Sequence, residues 1–482
     1  MLMLISVLFP ILSGLALLLS KTDNRMLRER WVIGTAAVTA VLGITAVLTG
    51  YGRETVLVRF SSTIALVFRA DGLASVFAVM VSVLWVIASF YALEYMKHEG
   101  AETRFFAFFL ASFGVTLGVA FSANIVTMYL FYELLTLATL PLVMHAMNPK
   151  ARYAGKTYIL YSMTGAGLGF VSMIFLLYYG GGDFVLGGSI GAGAFAKNAN
   201  MALLAYVIGF FGFGVKAAIF PFHGWLLDAS VAPTPVTALL HAVAVVKSGV
   251  FAVMRLTYYA FGAGCLFGTW AQVVVVCAAA FTLVYGSANG LRTPHFKRRL
   301  AYSTVSNLSY ILVGVGMMSP AGLVAAVAHM LFHAVNKITL FFGCGAVYYK
   351  THKEYVYELP YIAKEMPVVM ATFAVTALSL MGVPPLCGFT SKWLLGTAAM
   401  GTGLGIGWLA AAALIVSALL TALYMMSILF AAYAPSFKPL NVENHDPNWL
   451  MKAPLVALAV LCVTVSLLAQ PLLALVTKVL GV

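Results

Sequence analysis

About fourteen times along its length this chain runs through some twenty consecutive apolar residues, and that repetition decides what it can fold into. A helix of that length crosses the hydrocarbon core of a bilayer, where only helices and closed barrels satisfy their own backbone. The windows lie near 2–20, 31–50, 70–93, 105–122, 124–147, 155–180, 200–220, 231–260, 266–289, 300–317, 321–348, 367–400, 403–434 and 451–479. Residues 2–20 carry no basic start, so they read as a first span and not as a cleaved leader. Only 9% of the residues are charged, against about a quarter in a soluble domain. The expectation is an all-α polytopic membrane protein of about 14 transmembrane helices. Two stretches interrupt it. "FPFHGWLLDASVAPTP" (220–235) separates the seventh and eighth windows, and "GVPPLCGF" (382–389) breaks the twelfth, because paired prolines and glycines cannot continue a regular helix.

The net charge of +13 is distributed as a topology signal, with no patch that suggests nucleic acid. Of the 28 Lys and Arg, eighteen fall in odd-numbered connections, Lys21, Lys297 and Lys438 among them, and six, including Arg69 and Arg255, in even connections and the tail. Odd connections are therefore expected on the cytoplasmic side and both termini on the other. The remaining four, Lys216, Lys247, Lys337 and Lys392, lie inside windows, together with one deep acid, Glu133. The five cysteines are far apart with no CxxC pair, which argues against an iron–sulfur cluster or a structural zinc site, so they read as small apolar fillers.

A charge at the bilayer centre costs about 2.5–3.5 kcal/mol on the lenient insertion scale, so each of these residues needs a reason. A lysine near a span end can snorkel to water, which is an open reading for Lys216 beside its break. Lys247, with about a dozen apolar-window residues on either side, has no such escape. Buried ionisable groups mark ion or proton pathways. A lysine switched by a carboxylate that pairs with it and releases it can hold and release a proton; Glu133 with Lys216 is the candidate pair. In "HMLFHAVNK", His329, His333 and Lys337 recur every four residues and form a titratable stripe on one helix face. His241 lies six residues before Lys247. Accessory candidates are Asp71, which also suits a helix N-terminus, with His223 and Asp228 in the 220–235 break. The rival reading of His329 and His333 is a haem- or metal-binding pair.

Residues 216–255, "KAAIFPFHGWLLDASVAPTPVTALLHAVAVVKSGVFAVMR", resemble the antiporter-like proton-translocating subunits shared by respiratory complex I, membrane-bound hydrogenases and multisubunit sodium/proton (Mrp-type) antiporters. "FYELLTLATLPLV" (131–143), "HMLFHAVNKITLFF" (329–342) and "GVPPLCGFTSKWLL" (382–395) are similar to further signatures of that family, in the same order. The resemblance implies two inverted five-helix repeats with broken helices 7 and 12. Residues 105–260 would be the first repeat and 261–434 the second, flanked by helices 1–3 (1–104) and a C-terminal helix 14 (435–482). It also implies a proton pathway through Glu133, Lys216, Lys247, His329, His333, Lys337 and Lys392, with His241 beside it. Such a subunit would sit in a prokaryotic plasma membrane among other membrane subunits, further antiporter-like ones included. It would translocate protons, with sodium left open, as a non-catalytic part of a larger oxidoreductase complex, with no cofactor expected on this chain and any electron transfer left to partners. The chain stops soon after the fourteenth window, which suits the shorter members of the family. Two other functions compete: a component of a multisubunit sodium/proton antiporter with no redox arm, and a haem- or quinone-binding membrane subunit.

Overall fold

The computed structural model describes residues 1–20, 24–61, 64–435 and 444–482, so Lys21 and Lys438, counted above for orientation, lie outside the described residues. The chain opens with helices α1 (Leu2–Leu19) and α2 (Arg25–Gly50) and then forms a hairpin of β1 (Glu54–Arg59) and β2 (Ala65–Arg69). Helices α3 (Gly72–Tyr95), α4 (Glu102–Phe121), α5 (Ile125–Val143), α6 (Pro149–Tyr178) and α7 (Ala199–Gly214) follow. Next come α8 (Thr234–Phe261), α9 (Trp270–Arg292), α10 (Phe296–Gly316) and α11 (Pro320–Thr351). The chain closes with α12 (Pro367–Met381), α13 (Cys387–Met400), α14 (Gly405–Tyr433), α15 (Trp449–Leu467) and α16 (Ala469–Leu480).

Local chemistry sets these starts and stops. Asp71, Asn124, Asn148 and Ser319 each accept the N–H three residues on, capping α3, α5, α6 and α11. Pro149 and Pro320 stand at the first helical position, where a missing N–H costs nothing.

Among the described residues eleven helices are long and apolar enough to cross a membrane, and α7, α12 and α16 are shorter apolar helices. Three of the windows are not continuous helices. The seventh window ends as helix at Gly214, the twelfth splits into α12 and α13, and the fourteenth splits into α15 and α16 at Leu468. Pro471 explains the last of these, since its ring would clash with the carbonyl of Leu467. The hairpin departs from the all-helical expectation. Thr55, Val56 and Val58 are β-branched residues in a six-residue strand, too short to register as a span. The glycine-rich stretch 180–199 contains one short helix, Ala192–Lys197.

Burial orders the elements. Every residue of the most apolar window of α8 is buried, and α11 is nearly as enclosed, whereas α1, α14 and α15 leave most of theirs on the outside. α8 and α11 pack on each other, and α10, α12, α13 and α15 surround α11. The centre of the molecule is therefore made by the two helices that carry His241, Lys247, His329, His333 and Lys337.

Candidate functional site

Lys216 does not snorkel. It lies just beyond the end of α7, in the non-helical turn, and its side chain is 1% exposed. Its ammonium donates to the carbonyl of Tyr132, stands 3.4 Å from the centre of the Tyr132 ring and lies 3.5 Å from the Glu133 carboxylate. Glu133, mid-way along α5, keeps 26% of its side chain exposed on the outer flank of the chain. Lys216 also meets α8 directly. A Cβ on Gly249 would stand 2.5 Å from Ala217 N and 2.7 Å from Lys216 C, so only glycine lets α8 press against this turn.

The ladder of α8 is interrupted at Val243 and Ala244, both of whose amides bond to Leu239 O, between His241 and Lys247. Lys247 is fully buried, and its ammonium is hydrogen-bonded to Nδ1 of His333 on α11 at 2.5 Å. His333 and His329 stack one turn apart, ring centres 6.1 Å apart and planes 15° from parallel. His329 Nδ1 is hydrogen-bonded to Ser391 Oγ at 2.9 Å, and its ring lies on Tyr310. The neighbouring residue, Lys392, directs its ammonium back across the helix break to the carbonyls of Leu380 (2.8 Å) and Met381 (2.9 Å). Those are terminal carbonyls of α12, the negative end of a helix dipole, so the break holds the charge that it exposes. The Lys392 ammonium also lies 5.2 Å from the Tyr310 ring centre. Lys337 turns toward α10, donating to Leu300 O at 2.8 Å and Ser303 Oγ at 2.7 Å.

His241 is fully buried against Phe341 and, among the described residues, has no side-chain hydrogen-bond partner. His223 packs against Phe220 and Tyr285. Asp228 lines a cavity of about 400 Å³ whose wall also includes Thr234, Glu99, Lys150, Lys297 and Lys353. Thr234 begins α8, so the cavity opens at one end of the helix that carries His241 and Lys247. Lys297, assigned to a loop from the sequence, stands in the first turn of α10 and donates to Ala232 O at 2.6 Å.

Asp71 caps α3 and at the same time receives both terminal nitrogens of Arg255, at 2.6 and 2.8 Å. This corrects the assignment of Arg255 to a connection: it is fully buried within α8. An arginine after a long apolar run reads as the end of a span, and nothing local announces a partner 184 positions away.

The cysteines need a second correction. Cys387 and Cys462 meet in one polar cluster, with Cys387 Sγ 3.4 Å from Ser379 Oγ and Cys462 donating to Asn336 Oδ1 at 3.2 Å. Asn336 in turn donates to Ser379 at 3.0 Å. Spacing in sequence hid a pairing made by the break before α13.

A haem held by His329 and His333 would need both rings turned outward to a facing ligand. Instead they stack, with Nδ1 atoms engaged by Ser391 and Lys247. Among the described residues no three His, Cys, Asp or Glu side chains cluster as a metal site.

Residues 122–421 match the family described as "NADH:quinone oxidoreductase/Mrp antiporter, TM", and residues 59–106 match "NADH-Ubiquinone oxidoreductase (complex I), chain 5 N-terminus". The chain is 32% identical over 372 residues to NADH-quinone oxidoreductase subunit N of Desulforudis audaxviator, covering 75% of this chain and 72% of that one. It is 30% identical over 399 residues to a Na(+)/H(+) antiporter subunit of Alkalihalophilus pseudofirmus, covering 78% of this chain but 48% of that much longer one. Its fold superposes on a chain of the membrane-bound sulfane sulfur reductase, an archaeal respiratory membrane complex, with a TM-score of 0.87 at 21% identity, covering 99% and 97% of the two chains.

Proposed function

This chain belongs to the antiporter-like membrane subunits of the NADH:quinone oxidoreductase/Mrp antiporter family, and on that premise we propose that it carries protons along its buried lysine and histidine axis as part of a redox-driven complex. The observation that carries this reading is the hydrogen bond between Lys247 and His333, at the enclosed centre of the molecule. Two titratable groups in direct contact there can pass a proton between α8 and α11 without opening the fold.

The chemistry follows from the contacts. Protons reach α8 from the cavity bounded by Asp228 and Thr234 and approach His241 and then Lys247. Glu133 steadies the charged form of Lys216; when that pair opens, the lysine gives up its proton toward α8, which Gly249 holds against it. From Lys247 the proton passes to His333 and His329, and Ser391 links His329 to the break where Lys392 waits. Lys337, held by Ser303 beside this line, adds a positive charge that pushes the proton onward. By the distribution of Lys and Arg, the cavity faces the cytoplasm. The two broken regions, after α7 and between α12 and α13, would be the centres of two inverted repeats over residues 105–260 and 261–434.

Partners follow from exposure. A carboxylate at mid-membrane depth is too costly to face lipid, and Glu133 is flanked by the exposed apolar residues Leu130 and Leu137. A neighbouring membrane protein of the same complex would cover this flank and complete the axis.

Purification of the native complex in mild detergent, with its components identified by mass spectrometry, tests the reading. Co-purifying iron–sulfur and hydrogenase- or quinone-reductase-like chains are the expected result. Finding only small hydrophobic partners would overturn the redox assignment and make this a component of a secondary antiporter.

A further inference from the structure

The two ends of α8 are built differently. At Thr234 it opens on the 400 Å³ cavity. At the other end, eight residues or about 12 Å beyond Lys247, stands Arg255, the first residue of a π-helical turn that runs to Phe261. Its guanidinium is bonded to both oxygens of Asp71 and enclosed by aromatic rings, with centres at 4.6 Å (Tyr259), 5.0 Å (Phe251) and 5.3 Å (Phe184). Outward from Asp71 the charges continue in alternation. Arg69 lies 3.7 Å from Asp71 and 3.0 Å from Glu54, which is half exposed on the hairpin.

Backbone closes what the charges begin. The carbonyls of Tyr258, Tyr259 and Ala260, left free at the end of the helix, accept N–H groups from Gly187, Val185 and Ser189 of the glycine-rich loop. Arg69 donates to the carbonyl of Phe184 in the same loop. Hairpin, loop and helix end are thus fastened around one buried guanidinium.

Resting on the transport reading above, we infer that the Arg255–Asp71 pair is a charge seal that closes the hairpin end of α8 to protons and cations. Arginine suits the task because it keeps its proton in proteins, so it cannot relay one. Its fixed positive charge repels a hydronium or a metal cation in a channel-like path, as positive side chains do in selective pores. Asp71 holds that charge in place by two hydrogen bonds while itself being fixed to α3 through Ala74 N. A proton on Lys247 then moves along the axis to His333 and cannot leave α8 at its hairpin end.

The test is passive leak, measured on the assembled complex in liposomes with its driving reaction switched off. An imposed pH gradient is followed with a trapped pH-sensitive dye. Arg255→Met, uncharged and of similar length, should dissipate the gradient about tenfold faster than the native complex, the scale set by loss of one nearby charge in a low dielectric. Asp71→Asn, which leaves the guanidinium in place, should stay tight. If Arg255→Met is as tight as native, or if Asp71→Asn leaks as fast as Arg255→Met, the pair is a structural staple and the seal is refuted. Should Arg255→Met fail to assemble, Asp71→Asn still decides between charge and staple: a tight variant upholds the charge, a leaking one the staple. Adding Lys247→Ala to Arg255→Met separates the two claims. A leak abolished by the second change runs through the proposed axis, whereas a leak that persists upholds the seal and counts against the axis.

Discussion

Asp228 shows how much a single residue's surroundings say. Half-buried in the connection between α7 and α8, its carboxyl is held above the usual carboxylate range by burial, with Arg298 pulling against that shift. A raised value means that the fold favours the protonated form. The contribution to stability is therefore complete below the ordinary aspartate value, about pH 4, and is lost as pH rises through the raised one. Asp228→Asn removes that loss. Its thermal unfolding midpoint should match the native protein near pH 4 and exceed it at neutral pH; equal midpoints across the range would contradict the assignment. At this scale most of the buried charges were legible, because Lys247, Lys337 and Glu133 stand out as charges inside apolar windows. Arg255 was not, because an arginine at the end of a window looks like punctuation, and its meaning depends on Asp71, far away in sequence.

At the scale of elements, function depends on where helices fail. Gly382, with φ +94, ends α12 in a conformation that favours glycine, and the terminal carbonyls of that helix are the ligands of the Lys392 ammonium. Gly249 plays the matching part in α8, where its missing side chain allows contact with the turn that carries Lys216. Gly249→Ala forces backbone apart on both sides. It should cost about 1–3 kcal/mol, as overpacking does, and reduce driven proton uptake out of proportion to that loss, because Lys216 and α8 separate. Thermal unfolding and uptake measured on the same preparation check this; uptake that falls no further than folded protein would show that the contact is only structural. The proline and glycine pairs made the breaks readable in advance. The hairpin and the Cys387–Cys462 cluster were not readable, since one is too short for a window and the other is made by tertiary packing.

For the whole molecule, buried lysines and histidines run inside an apolar shell, with the cavity at the Thr234 end of α8 and the Arg255–Asp71 pair at the other. Glu133 at one flank and Lys392 beside the exposed Phe389 and Trp393 at another leave the line ready to be continued by neighbours. Membrane class and family were legible from periodicity and motifs. The split of the fourteenth window at Leu468 was not, because an apolar window reports that a segment prefers lipid or core, and not that it stays helical throughout. The central claim is that Lys247 moves protons. Driven proton translocation by the assembled complex, with native Lys247 and with Lys247→Ala, tests it most directly. The account predicts that Lys247→Ala assembles normally and loses about a hundredfold or more of coupled transport, in the range associated with removing a proton-transfer group. Native rates of translocation in that variant would contradict it.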